Sequence, residues 1–171
     1  MWLTRVPHPF SADVRAVVDD EEIMGAVVPK ARRLYNLSQM AAFEGPDGKF
    51  LTTEVGEVEL NQYVDPAGGK VYTVDHTDKK VTGTRDATAA EMGGEQSGLR
   101  EAVQTAVKTY VTENFSDSVM SATYAKDGKV VVCISGAEFD ARNMWSGRWR
   151  STWTCTVEGD NVGMEGEATY R

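Results

Sequence analysis

Hydrophobic and polar residues alternate strictly along residues 147–157, which read GRWRSTWTCTV. Alternation with a period of two is typical of a β-strand that has one apolar and one polar face. The apolar positions are Trp149, Ser151, Trp153, Cys155 and Val157, and the polar positions are Arg148, Arg150, Thr152, Thr154 and Thr156. Because a buried tryptophan removes on the order of 200 Å² from water, the pattern predicts that this strand anchors the core.

A helical period precedes this strand. One face of the segment from Ser97 to Asn114 carries Leu99, Val103, Ala106, Val107 and Tyr110, and the opposite face carries Arg100, Glu101, Gln104, Lys108 and Thr109. This spacing predicts an amphipathic helix, with Ser97 in the capping position at its N-terminus.

The residues after this helix read as consecutive strands. The dipeptide Asp127-Gly128 predicts a tight hairpin between strands at Val119–Lys126 and Lys129–Ser135. A turn at Glu158–Asn161 separates the tryptophan strand from a fourth strand that begins at Val162. Short connections between successive strands favour an antiparallel β-meander, with the amphipathic helix covering one face.

The first half of the chain contains two kinds of pattern. Ser11–Val18 and Glu21–Met40 carry helical patterns, and Pro29 predicts either a kink in the second helix or a helix that begins near this proline. Three short strands are then expected at Lys49–Thr53, Glu57–Val64 and Lys70–Asp75, with turns at Asp47-Gly48 and Gly68-Gly69.

These patterns predict an α+β chain in four consecutive parts. Residues 1–42 form a helical stalk, 43–76 a small strand-rich globule, 77–97 a polar loop or linker, and 98–171 the helix with the antiparallel central sheet. Residues 77–97 are assigned to a mobile loop because they are polar, carry glycine and show no periodicity. We expect one compact chain rather than independent domains.

Composition limits the possible partners. The formal net charge of −8 and the isoelectric point of about 4.8 argue against direct binding of nucleic acid or an anionic membrane, both of which need a basic surface. No apolar run approaches the roughly 20 residues of a membrane span, and no secretory signal precedes the chain. Cys133 and Cys155 lack zinc-type spacing, which favours buried free thiols in a cytosolic protein.

Candidate chemistry is sparse. The two histidines are His8 and His76, and no nucleophile elbow, phosphate-binding loop or zinc-protease motif occurs. A site at His76 with Asp75 and Asp78 is a weak enzyme hypothesis, because a single histidine in a strand-end turn is more often structural. Glu54, Glu57 and Glu59 have no further ligand at metal spacing and are interpreted as solvated carboxylates. We therefore expect no enzyme activity, cofactor or metal.

The segment EFDARNMWSGRWRSTW resembles the signature N-x-W-x-G-R-W-R-S-x-W of the F-actin capping protein alpha subunit family. The segments VQTAVKTYVTENFSDSVMSATYAKDGKVVVCIS and LTTEVGEVELNQYVDPAGGKVYTVDH are similar to two further blocks of that family. The resemblance extends from about Trp2 to Arg171. The signature residues, which we expect to pack in the sheet or at a subunit interface, are Asn143, Trp145, Gly147, Arg148, Trp149, Arg150 and Trp153.

This resemblance implies a function and partners. It implies the alpha-type subunit of a heterodimer with a capping protein beta-type subunit, which binds the barbed ends of actin filaments and blocks subunit exchange in the cytoplasmic cytoskeleton. The alternative is a non-capping structural subunit of a dynactin-like or axonemal (ciliary or flagellar) assembly. The family's C-terminal helix and actin-binding tentacle follow the point where this sequence ends, so we expect a fragment of a longer chain rather than a reduced family member.

Two basic groups are candidate contacts. Arg148 and Arg150, on the polar face of the tryptophan strand, are expected to pair with carboxylates of another strand or another subunit, because a buried arginine keeps its charge. Lys30, Arg32 and Arg33 form either a solvated helix face or a partner contact on the stalk. The residues that contact actin are not assigned.

Overall fold

A computed structural model describes residues 21–115, 118–138, 147–159 and 161–170 of the chain. It contains two long helices, a two-stranded hairpin and two four-stranded antiparallel sheets. The mixture of helices and antiparallel sheets confirms the α+β class. The predicted helix at Ser11–Val18 and the signature residues Asn143 and Trp145 lie outside the described residues. No helix within those ranges is both long and apolar enough to cross a membrane.

Helix α1 (Glu21–Ser38) runs through Pro29 and begins eight residues before it. The expectation of a helix that begins near Pro29 is therefore wrong. Proline removes one backbone donor from the helix interior, and here it lies on an exposed face, where water reaches the carbonyl that this donor would have bonded. The last turns of α1 pack onto the strands that follow, through the buried residues Asn36 and Leu37.

Strands β1 (Ala42–Gly45) and β2 (Gly48–Leu51) form a hairpin around the predicted turn at Asp47-Gly48. The next sheet has the order β3 (Glu57–Glu59), β4 (Gln62–Asp65), β5 (Lys70–Asp75) and β6 (Lys80–Asp86). The single strand expected at Glu57–Val64 is instead two strands, because the chain reverses at Asn61, whose φ of 63° is left-handed.

Strand β6 corrects the assignment of residues 77–97 to a loop. It pairs along its full length with β5, from Lys70 opposite Asp86 to Asp75 opposite Lys80. Its sequence, KVTGTRD, is polar because β6 is the edge strand of its sheet, and Val81 is the residue that packs against the core. Hydropathy alone therefore does not distinguish this strand from a loop.

Helix α2 (Ser97–Asn114) follows a short 3₁₀ turn at Gly94–Gln96. Ser97 is the first helical residue, and Gln96 occupies the capping position without a side-chain bond, so the predicted serine cap is wrong. The helix is also rotated from the predicted orientation. Arg100, predicted on the solvent face, is 2% exposed, whereas Tyr110, predicted on the buried face, is 56% exposed.

The buried Arg100 explains this rotation, because its guanidinium group bonds main-chain oxygens that the helix must approach. Nε donates to the carbonyl of Met92 at 3.1 Å and Nη1 donates to the carbonyl of Pro66 at 3.3 Å. A buried guanidinium is stable only where its donors find acceptors. Arg100 therefore ties α2 to the turn between β4 and β5.

The second sheet confirms the predicted meander. It has the order β7 (Met120–Lys126), β8 (Lys129–Glu138), β9 (Gly147–Glu158) and β10 (Asn161–Tyr170), and every neighbouring pair is antiparallel. Asp127 and Gly128 both adopt positive φ, 52° and 75°, as a two-residue type I′ hairpin requires.

The core lies on both faces of this second sheet. One face packs on the first sheet and on Leu51 of the β1–β2 hairpin. The other members of this cluster, from the two sheets, are Val64, Val71, Ala122, Tyr124, Val131 and Cys133. The other face meets α2 through Val111, Val132 and Ile134. The two cysteines are free thiols, with Cys133 buried between the sheets and Cys155 half-buried, so both expected buried thiols are free but only one is fully buried.

The tryptophan strand β9 anchors the core with one tryptophan rather than two. Trp149 packs against the cluster beneath α2, with its ring 5.2 Å from the ring of Phe115, whereas Trp153 is 39% exposed. Helix α2 covers β7 and β8 and does not extend over the outer half of the sheet, where β10 is exposed at every described residue.

Candidate interaction site at the end of the first helix

A cleft lies where the C-terminal end of α1 meets the second sheet. This helix-end cleft has a volume of about 240 Å³, and Lys79, Arg148 and Arg150 supply its charged lining. A second opening of about 420 Å³, the side cavity, shares Arg150 with it and extends to Glu167 and Thr169 of β10. Arg148 and Arg150, the basic pair of the tryptophan strand, therefore lie at the junction of α1 and the second sheet.

Arg150 binds the end of α1 rather than a carboxylate. The side chain is 7% exposed, and Nη1 donates a hydrogen bond of 2.5 Å to the carbonyl of Ser38, the last residue of the helix. A cation at this position also interacts favourably with the negative end of the helix dipole. The Nε atom is buried and has no acceptor among the residues that the structure describes. In the described ranges no carboxylate forms an ion pair with Arg150.

Arg148 lies two residues away on the same face of β9. It is exposed, lines the helix-end cleft and pairs across the sheet with Ala137 of β8. It forms no ion pair with any part of the chain that the structure describes. The expected carboxylate partners of Arg148 and Arg150 are therefore not among the described residues, and the expectation stays a prediction.

A partly buried polar network joins α1 to the first sheet. Arg33 of α1 forms a two-point ion pair with Glu57, and its Nε lies 3.0 Å from Oε1. The Tyr63 hydroxyl donates to the same Oε1 at 3.0 Å. The Tyr63 oxygen also lies 2.9 Å from Nε2 of His76, and Asn36, also on α1, lies 3.1 Å from Nδ1 of that imidazole.

The partners of Asn36 fix the tautomer of His76. The Nδ2 group of Asn36 donates to the carbonyl of His76 at 3.2 Å, which orients the amide so that the same nitrogen faces the imidazole. Because an amide nitrogen only donates, Nδ1 of His76 must accept, and its proton is on Nε2. The hydrogen bonds therefore run from Asn36 to His76, from His76 to Tyr63 and from Tyr63 to Glu57.

The ionisation of these groups matches the direction of the bonds. Burial and then the nearby charge of Arg33 lower the pKa of His76, which keeps the imidazole neutral. Burial alone would raise the pKa of Glu57, but hydrogen bonds from Arg33, Asn61 and Tyr63 outweigh it and lower the pKa. Burial and the charge of Glu57 raise the pKa of Tyr63. The network therefore holds a neutral histidine and an ionised glutamate together.

This network corrects two expectations. Glu57 is predicted to be a solvated carboxylate, but it is half-buried and accepts from Arg33 and Tyr63. Arg33 was a candidate partner contact, but Glu57 holds it against its own chain. Lys30 is exposed, and Arg32 is half-buried with an unpartnered Nε. The three basic residues therefore do not form one free surface.

The remaining signature residues have packing roles where they are described. Gly147 begins β9 opposite Glu138. Trp153 lies over Gly166 of β10, where a Cβ atom would come within 2.6 Å of Cδ2 of the indole. Gly136 of β8 makes similar room for Trp149, since a Cβ there would lie 2.9 Å from the indole nitrogen.

The structural interpretation of His76 fits its surroundings better than a catalytic one. Both ring nitrogens have partners within the protein, and the residue is buried. Asp75, the other member of the hypothetical site, accepts from the backbone amides of Thr77 and Asp78 in the turn that follows β5. No group of three or more metal-binding side chains occurs among the residues that the structure describes.

Together these features define a class of protein. The described chain stacks two antiparallel sheets, docks a helix on them through a polar network, leaves the outer strand β10 exposed and places a basic cleft at the helix end. Exposed sheet edges of this kind pair with other chains unless they are protected. The arrangement is typical of a subunit that works by association.

Comparisons with known proteins identify the family. The F-actin capping protein alpha subunit family matches residues 8–170. The F-actin-capping protein subunit alpha of Dictyostelium discoideum is 36% identical over 150 residues, which are 86% of this chain and 53% of that protein. The subunit alpha of Arabidopsis thaliana is 26% identical over 161 residues, covering 87% of this chain and 52% of that protein. The chain belongs to the F-actin capping protein alpha subunit family.

A solved structure supports the fold. The homodimeric actin capping protein alpha subunit from Plasmodium berghei matches with a TM-score of 0.70 at 14% identity, over 93% of this chain and 69% of that one. At this identity the likeness concerns the fold. The present chain spans about half the length of the curated relatives that it matches.

Proposed function

We propose that this chain is part of an alpha-type subunit of an F-actin capping protein, which binds filament barbed ends and blocks subunit exchange. The observation that carries the proposal is the match to the alpha subunit family along residues 8–170. On this proposal the chain has a steric role and no enzymatic one, in the cytoplasmic cytoskeleton. Residues 1–42 serve as a stalk, residues 43–86, which include β6, as a small globule, and residues 98–171 as the sheet and helix that support the binding platform.

The proposal includes a second subunit. A capping protein beta-type subunit is the partner that we propose, and β10 is the surface that favours association. Val162 and Met164 of this strand are 67% and 63% exposed, and such exposed apolar side chains are more stable when another chain covers them. A second copy of the chain is the alternative, because the Plasmodium berghei relative was solved as a homodimeric alpha subunit.

Two measurements test this function on the full-length protein. The first is the mass of the complex formed after co-expression with a beta-type subunit, and we expect one copy of each chain. The second is filament elongation from barbed-end seeds, which the complex should stop at substoichiometric amounts relative to actin. A complex that leaves elongation unchanged would refute the capping function. A stable homodimer that excludes the beta-type chain would refute the proposed partner.

A further inference from the structure

We infer that the helix-end cleft receives a carboxylate side chain of the partner subunit. The inference rests on the proposed assembly with a second chain, and it assigns a role to Lys79, Arg148 and Arg150 within that assembly. These three cations line a cleft of about 240 Å³, and no aspartate or glutamate of the described residues contributes to its lining. The chain as a whole carries a net charge of −8, so this group of positive charges runs against its overall composition.

Charge is the first argument. Three cations around one small volume repel one another, and an anion placed between them reverses that repulsion. Arginine and lysine form their strongest hydrogen bonds with carboxylates and phosphates. Uncharged donors add to the lining, since Ser135 and Gln39 also face the cleft. The lining is therefore rich in hydrogen-bond donors and suited to a negatively charged oxygen.

The burial of Arg150 is the second argument. Its guanidinium uses Nη1 to bond the carbonyl of Ser38, but within the described ranges its buried Nε has no acceptor and no carboxylate balances its charge. A buried charge that lacks a counter-ion is costly, and a partner carboxylate in the cleft compensates for part of that cost. The helix end holds Arg150 in place before the ligand arrives, which reduces the entropy lost on binding.

The apolar part of the lining favours a side chain over a free ion. Met40, Leu51 and Met120 line the same cleft as the three cations. A hydrated oxyanion such as phosphate gains nothing from contact with these groups, whereas an aspartate or glutamate brings methylene groups and a neighbouring backbone that fill the apolar part. The mixed lining therefore fits an acidic residue on a polypeptide.

The position of the cleft indicates that this polypeptide is another chain. Through Arg150 the cleft joins the side cavity, which is lined by Glu167 and Thr169 of β10. Strand β10 pairs with β9 on one side and has no partner on its other side within the described part of the chain. A partner that associates along β10 passes the side cavity. Glu167 repels an acid there, so the carboxylate is directed into the helix-end cleft.

A zero-length cross-link tests the inference directly. A carbodiimide joins a lysine amine to a carboxylate in direct contact, and Lys79 supplies the amine. The full-length protein is purified with its partner subunit, its mass is measured, and the cross-linked peptides are identified by mass spectrometry. We expect Lys79 to be joined to an aspartate or glutamate of the partner. Arg148→Gln should lower that yield about tenfold, because one charge-assisted contact is lost.

Matched variants separate the cleft from its surroundings. Lys79→Arg keeps the positive charge but removes the reactive amine, so it should abolish the cross-link and leave the mass of the complex unchanged. Lys129→Gln removes an exposed lysine of β8 outside both cavities and should leave the Lys79 yield unchanged. Equal yields in Arg148→Gln and the unsubstituted protein would overturn the inference.

Other outcomes also decide the question. A complex of the correct mass in which Lys79 reacts only with carboxylates of its own chain would overturn the inference while leaving the proposed assembly intact. An Arg148-dependent rise in melting temperature with sodium phosphate, measured against sodium chloride at equal ionic strength and without a Lys79 cross-link to the partner, would identify a free oxyanion and overturn it. A protein that purifies without any partner would refute the proposed assembly itself, and the inference with it.

Discussion

At the scale of single residues, the hydrogen-bond partners of His76 allow only one tautomer of its neutral imidazole. Asn36 donates to Nδ1, so Nε2 carries the proton and directs it to Tyr63, whose hydroxyl donates in turn to Glu57. Arg33, which is on the same helix as Asn36, also donates to Glu57 and completes the polar network. Each donor in this polar network bonds the next acceptor, so loss of the Tyr63 hydroxyl removes one partner from His76 and one from Glu57.

The hydroxyl of Tyr63 provides the clearest test of the polar network. Tyr63→Phe keeps the ring but leaves Nε2 of His76 and Oε1 of Glu57 each without one buried partner, and we expect the free energy of unfolding to fall by about 1–3 kcal/mol. Tyr72→Phe is the matched control, because Tyr72 pairs directly with Tyr63 across the sheet and its hydroxyl bonds the exposed Asp47. Urea unfolding measures both, and equal losses would contradict the polar network.

Acid should weaken the same polar network in two steps. The pKa of His76 is lowered from 6.5 in the folded protein, so the unfolded chain binds more protons and stability falls as the pH drops below about 6.5. The pKa of Glu57 is lowered from 4.5, which adds a second loss below about that pH. An imidazolium also places a proton on Nδ1, facing the amide donor of Asn36.

The pH dependence of the urea midpoint measures this effect. His76→Gln should remove the step between pH 6.5 and 5, whereas His8→Gln, which replaces the chain's other histidine, should retain it. A midpoint that stays constant from pH 7 to 5 in the unsubstituted protein would show that His76 is not held neutral by the fold.

At the scale of elements, strand β9 depends on the glycine opposite each tryptophan. Gly166→Ala on β10 would place a methyl group against the ring of Trp153. We expect a loss of about 1–3 kcal/mol, because a closely packed side chain must move to admit the added carbon. Gly163→Ala on the same strand is the control, since its added carbon meets only one atom, at 3.9 Å. Unfolding followed by tryptophan fluorescence compares the two, and equal stability would contradict this packing.

The sequence predicted the elements whose patterns come from burial on one side. The meander from β7 to β10 and its hairpin at Asp127-Gly128 were predicted because alternation and turn chemistry are local properties. Strand β6 was missed because an edge strand can be polar throughout. The predicted face of α2 was only partly right. Val103 and Val107 pack on the core as predicted, but Arg100 is buried because it bonds the carbonyl of Pro66, 34 residues away, which no local pattern shows.

The candidate site, like the fold, could be predicted from the sequence only in part. The placement of Arg148 and Arg150 on one face of a strand could be predicted from the alternation of the tryptophan strand. The helix end that binds Arg150 could not, because Ser38 is 112 residues away in the chain. The partners of Glu57 and His76 were missed for the same reason, since composition shows that the residues are present but not that they meet.

At the scale of the whole molecule, the second sheet is covered unevenly. The first sheet packs on one face and α2 covers the inner strands of the other, so β9 and β10 present Trp153, Val157 and Met164 to solvent. Apolar groups exposed together on the outer half of a sheet are typical of a surface that another chain or segment covers. The described chain therefore presents one exposed apolar surface, on β9 and β10, and one cleft lined by positive charges, at the end of α1.

A charge on the apolar surface tests its role in assembly. Met164→Glu should weaken association with the partner subunit about tenfold or more, because a carboxylate must lose its hydration when the surface is covered. Glu165→Gln, at the next position of β10 on the other face, is the control. Analytical ultracentrifugation of the full-length complexes provides the dissociation constants, and equal values would show that this face remains uncovered in the complex.

Because Cys133 is buried between the two sheets, the reaction of its thiol can be used to follow their separation. Burial raises the pKa of this thiol to about 11, and the residue lies in the layer between the two sheets, whereas Cys155 is half-buried. Only the thiolate reacts with an alkylating reagent, so Cys133 should react only when the sheets part, while Cys155 reacts from the closed protein. Timed alkylation followed by mass spectrometry would then measure opening of the folded molecule at the layer between the sheets, without an introduced cysteine.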